Sequence, residues 1–108
     1  MLSLRQQELY KWQQKNFGEM SSEELVLGMV EEIGELCHIL LKRKQGIREG
    51  ANKTEAELKA KVADAFGDVV IYGINMMQAE GLDAEKAIVE TIKSVLKRDW
   101  VENPAEGD

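Results

Sequence analysis

The stretch DAFGDVVIYGINMM, residues 64–77, decides the architecture. From Asp68 onward it is apolar on almost every side, with Asn75 the one polar interruption before Met77. It lies within a longer run that opens at Thr54-Glu55-Ala56-Glu57, the spacing of a capping box, and ends at Gly81. A run of this length without proline reads as helix. A helix that is apolar all round is buried on all sides. A chain of 108 residues in four helices can hardly surround one of its own, so other copies are expected to cover the remaining face, as a homodimer or homotetramer.

The flanking segments read the same way. Upstream, Ser21-Ser22-Glu23-Glu24 is another capping box and opens a helix to about Gln45, with Gly46 as its stop. Before it, Ser3 to Phe17 forms a first helix that ends at Gly18. Downstream, Asp83 is an N-cap for a fourth helix reaching about Trp100, with Lys97 and Arg98 in its last turn. Gly46–Lys53 is irregular. The expectation is an all-α, four-helix bundle-like fold with two long central helices. It forms one domain over 1–103, followed by a flexible tail at 104–108.

Composition narrows the function. Hydrophobic residues make up 44% and charged residues 31%, as in an ordinary globular chain rather than a disordered one. The net charge of -6 argues against a nucleic-acid polymer as partner, because backbone binding needs a basic footprint. No apolar run approaches the roughly 20 residues that span a bilayer, so no membrane partner is expected. The opening MLSLRQQELYKWQQ carries no apolar leader core, and the expected location is cytoplasmic. One cysteine and one histidine exclude an internal disulfide and argue against a His-rich zinc site.

The acids are not spread evenly. At about 100° per residue, Leu25, Val26, Met29, Val30, Ile33, Leu36, Cys37 and Leu40 of the second segment fill one broad arc. Glu32 falls inside that arc, Glu35 at its edge above Gly28, and Glu31 further out. On the third segment Asp64, Asp68 and Asn75 form one polar stripe among apolar neighbours. Two carboxylates about 6 Å apart repel by roughly 3 kcal/mol at an effective dielectric of 20. Such a cluster takes up protons, pairs with lysine or arginine (Lys42, Arg43 and Lys61 are near in sequence), or binds a cation. An all-carboxylate donor set favours Mg²⁺ or Mn²⁺ over zinc. Glu35-Leu-Cys-His38 also has the Glu-x-x-His spacing of di-iron bundles, but there is only one such pair, and His38 falls on the exposed side.

Gly28-Met-Val-Glu31-Glu32-Ile-Gly-Glu35-Leu resembles the EExxE motif of the MazG-like nucleoside triphosphate pyrophosphohydrolases, an all-α superfamily. Asp64-Ala-Phe-Gly-Asp68-Val-Val-Ile-Tyr72 resembles the family's second motif, ExxD, and the likeness covers nearly the whole chain. The chain departs from that pattern at Ala65, where the family carries glutamate; Asp64, one turn before Asp68, is the expected substitute.

The resemblance implies Mg²⁺-dependent hydrolysis of (deoxy)nucleoside triphosphates to monophosphate and pyrophosphate, a house-cleaning activity on nucleotide pools. It implies Glu32, Glu35, Asp64 and Asp68 as metal ligands, with Mn²⁺ as a possible substitute ion. Glu31 and Glu35 are the candidates for the catalytic carboxylates that orient the attacking water. Lys93, Lys97 and Arg98 are candidates for phosphate contacts, against a role in complementing the helix dipole. Trp12 and Asn75 are candidates for the base, against roles in the core. Two other functions remain open: a non-catalytic helical dimerisation or binding module, and a di-iron carboxylate protein.

Overall fold

The computed structural model describes residues 2–108. Its order is α1 (Leu2–Phe17), α2 (Ser22–Gln45), a 3₁₀ turn (Arg48–Gly50), α3 (Glu55–Ala79) and α4 (Ala84–Leu96). There is no strand among the described residues, and the chain is all-α. No helix among them is long and apolar enough to cross a membrane.

Local chemistry sets the helix ends. Ser21 accepts a hydrogen bond from the Glu24 N–H while Glu24 accepts one from the Ser21 N–H, completing the capping box. At α3, Thr54 accepts from the Glu57 N–H. Asp83 does the same for Lys86 at α4. Gly46 closes α2 in the left-handed region, at φ 69°, and its N–H reaches the Lys42 carbonyl at 2.8 Å.

Helix α4 stops at Leu96, short of the expected Trp100. The Asp99 carboxylate accepts from the N–H groups of Val101 and Glu102, offering the backbone a turn in place of helix. The segment expected to be a flexible tail folds back: Gly107 is buried against the Trp100 ring, and its carbonyl accepts from the Asp99 N–H.

Helices α2 and α3 form an antiparallel hairpin, the most extensive packing in the chain. Gly28 lies against the Tyr72 ring and Gly73 against the Met29 side chain, which fixes the register. Ser22 donates to Glu80 at one end of the hairpin, while Gly50 sits on the Lys42 carbonyl at the other. Helix α1 is tied on by polar groups. Gln6 donates to Gln78 at 2.9 Å and to the Leu82 carbonyl at 2.7 Å, and accepts from the Ala84 N–H at 2.8 Å. The Ser3 hydroxyl lies 3.0 Å from both Asp83 Oδ1 and Glu85 Oε2, and its one proton is shared between the two acceptors.

The buried apolar core is small: Leu25, Leu58, Ala65, Val69, Ile74 and Ala84. The arc on α2 expected to be buried is only partly so. Leu25 is fully covered, whereas Val26, Val30, Ile33, Cys37 and Leu40 are exposed. The reason is geometric: α3 covers one side of that arc, and no other helix of this chain covers the rest. The radius of gyration is 17.4 Å, against about 13 Å for a compact chain of this length. The accessible surface is 8003 Å², against roughly 6,100 Å² for a compact monomer of this mass.

Candidate functional site

The hairpin register that puts Gly28 beside Tyr72 also sets Glu32 across from Asp68, one helical turn further along each helix. Glycine is required at position 28: a Cβ there would lie 2.6 Å from Tyr72 Cδ1 and 2.7 Å from Cζ. The Tyr72 ring can occupy its place against α2 only because that side chain is missing.

Glu32 is half-buried, while Glu31, Glu35, Asp64 and Asp68 are exposed. Burial first, then the charges of Asp68, Glu31 and Glu35, hold the Glu32 carboxyl above the usual carboxylate range. Four of the five expected acids therefore share one electrostatic neighbourhood on one seam of the hairpin. Asp64 is not among the groups that raise Glu32. Ala65, where the related motif has glutamate, is 5% exposed and turned into the helix contact.

Among the described residues none of these acids is paired with a lysine or arginine; Lys42 donates instead to Gln45 at 2.9 Å. Nor do three histidine, cysteine or acidic side chains converge in a ready-made metal cage among them. The donor set nevertheless suits a hard cation: all oxygen, mutually repelling, without a built-in counter-charge. The His38 Nε2 lies 3.0 Å from Glu49.

The other expected site residues are not among the charges that act on Glu32. Lys93, Lys97 and Arg98 are exposed at the end of α4. The depression that Lys97 and Arg98 border holds Ser94, Trp100, Glu106 and Asp108, and none of the seam acids. Trp12 is half exposed, stacks edge-to-face on Phe17 at 5.8 Å, and lines a groove between α1 and α3 with Leu9, Phe66 and Ile71.

Asn75 is fully buried. Its amide donates to Gln13 Oε1 at 3.4 Å, while its Oδ1 has no partner within the protein. Gln13, itself buried, is the α1 partner of Asn75; Gln6 and Gln13 are seven apart, so both polar groups fall on the inner face of α1.

Comparison of the chain with protein-family models, with curated proteins and with solved structures finds no match in any of the three.

Proposed function

We propose that the chain is a divalent-cation-dependent hydrolase that converts (deoxy)nucleoside triphosphates to monophosphate and pyrophosphate, working as an assembly of identical helical protomers. One observation carries the reading: Glu32 lies across the hairpin from Asp68 and feels its charge and those of Glu31 and Glu35, and among the described residues none of them is paired with a lysine or arginine. The resemblance of residues 28–36 and 64–72 to the two motifs of the MazG-like family supplies the reaction class.

Glu32, Glu35 and Asp68 would hold the cation, with Asp64 as a fourth ligand. When bound, Mg²⁺ would supply charge to offset the phosphate oxygens, which an acidic seam alone would repel. Glu31, with Glu35, accepts the proton of the attacking water as the bond between the α- and β-phosphates breaks. Lys93, Lys97 and Arg98 as phosphate contacts, and Trp12 and Asn75 as contacts for the base, are proposals that the resemblance alone supplies; within one protomer Lys97 and Arg98 border a different depression from the seam acids, and Asn75 is fully buried.

A second reading is a binding module that keeps the fold without the chemistry. It is favoured by the buried Ala65, which leaves the seam one carboxylate short of the related motif. A panel of nucleoside and deoxynucleoside triphosphates with Mg²⁺ separates the two. Pyrophosphate as the first product supports the hydrolase. Orthophosphate as the first product sinks that reading, and no turnover across the panel favours the module.

A further inference from the structure

The segment after α4 closes on itself. The Asn103 N–H donates to the Asp99 carbonyl at 2.9 Å, the Gly107 N–H donates to the Asn103 carbonyl at 2.7 Å, and the Asp99 N–H returns to the Gly107 carbonyl. Gly107 sits at φ 77°, and a Cβ there would lie 2.8 Å from Trp100 Cζ2 and 2.9 Å from Cη2. Only glycine combines that left-handed backbone with so close an approach to the indole. Every other residue from Asp99 to Asp108 is exposed, so little buried surface opposes opening of the segment.

Closure changes the charge around the end of α4. It brings Glu106 and Asp108 to the lining of a hollow of about 560 Å³ that also holds Ser94, Lys97, Arg98 and Trp100. Two cations and a hydroxyl suit a phosphate group. Two carboxylates in the same hollow repel one. Among the described residues neither Lys97 nor Arg98 is in an ion pair, so no salt bridge has to break before a phosphate reaches them.

We propose that residues 99–108 are an autoinhibitory strap. Closed on Trp100, it holds Glu106 and Asp108 where they repel a phosphate-class anion from Lys97 and Arg98. Open, it leaves both cations to the anion. Bound anion and closed strap disfavour each other, by the same factor in either direction. The inference rests on the reading of Lys97 and Arg98 as phosphate contacts and adds the regulation of that contact.

Titration of the intact chain with inorganic pyrophosphate in EDTA tests it, since without metal neither the acidic seam nor hydrolysis takes part. Gly107→Val opens the strap, because a branched side chain fits neither the positive φ nor the Trp100 ring. Glu106→Gln combined with Asp108→Asn leaves the strap closed but neutral. Each change is expected to tighten pyrophosphate binding about tenfold, the order expected from two partly screened like charges. Glu102→Gln removes a strap acid outside the hollow and should change binding less than about twofold. Adding Lys97→Gln and Arg98→Gln to either strap variant should abolish the gain. A second readout follows the strap itself: saturating pyrophosphate should speed cleavage after Glu102 and Glu106 by a glutamate-specific protease. An equal gain from Glu102→Gln, a gain that survives loss of both cations, or cleavage indifferent to pyrophosphate overturns the strap. Pyrophosphate bound equally by every strap form overturns the strap and leaves the two cations as phosphate contacts; pyrophosphate bound by none of them overturns both.

Discussion

Replacing a glycine inside a helix by alanine ordinarily stabilises the protein by about 1 kcal/mol, since the backbone loses less freedom on folding. Gly34 and Gly28 lie on the same helix and should respond in opposite directions. Around Gly34 a new Cβ meets nothing within 4 Å, so Gly34→Ala gains the full propensity difference. At about 4–8 °C per kcal/mol for a domain of this size, Tm rises by a similar number of degrees. Around Gly28 the new Cβ would sit 2.6–2.7 Å from Tyr72 ring carbons, so the ring must move or the helices must part. Overpacking of this kind costs about 1–3 kcal/mol, which outweighs the propensity gain. At the middle of that range the net cost is about 1 kcal/mol, and Gly28→Ala is expected to lower Tm by roughly 4–8 °C. Calorimetry of the two variants reads the sign directly. A Tyr72→Ala background should remove the Gly28→Ala penalty, because the coupled partner is gone. If Gly28→Ala stabilises as much as Gly34→Ala, the register that sets Glu32 opposite Asp68 is wrong.

Four further outcomes follow from the structure. In metal-free protein at neutral pH, Glu32→Gln and Asp68→Asn should each raise Tm, since each removes a repelling charge; a drop in Tm for both would contradict the crowding of acids on that seam. Glu32 has a raised folded pKa, so protonating it adds stability that is complete below the ordinary carboxylate range and lost as pH rises through the raised value. Asp83 and Glu85 are held below the usual range, Asp83 first by the Lys86 N–H and Glu85 first by the Ser3 hydroxyl. Their contribution is present above the ordinary carboxylate range and lost as pH falls through the lowered values, freeing the start of α1. Acid titration followed by Trp12 fluorescence should show that release earlier in Ser3→Ala, and an unchanged profile would rule out the tie. Ser21→Ala removes an N-cap and should cost about 1 kcal/mol, read from denaturant midpoints.

Much of the fold was legible because its determinants are local. Ser21 completes the capping box and Asp83 the N-cap that their spacing announces, Thr54 makes the N-cap half of its expected box, and Gly46 takes the left-handed conformation that its place after Gln45 requires. The end of α4 was harder, because the Asp99 side chain competes for the backbone in a way that periodicity does not register. The wheel of α2 identified the apolar arc but not its partner: Val30 and Ile33 look like core in projection, yet stand uncovered in one chain. The site divides similarly. Glu31, Glu32, Glu35 and Asp68 came together because their helices pair in a register that small residues and caps make readable. Lys93, Lys97 and Arg98 lie at the far end of α4, and no helical spacing says where a terminal helix will point.

Thermal unfolding with and without Mg²⁺ puts the cation site to the most direct test, independent of any substrate. An ion that binds only the folded chain adds about 2.7 kcal/mol at a hundred times its dissociation constant, which corresponds to a Tm rise on the order of 10–20 °C. The unsubstituted chain should show that rise with Mg²⁺ or Mn²⁺, and Asp68→Asn should lose most of it. An unsubstituted chain whose Tm is indifferent to both ions would contradict the assignment of Glu32, Glu35 and Asp68 as ligands.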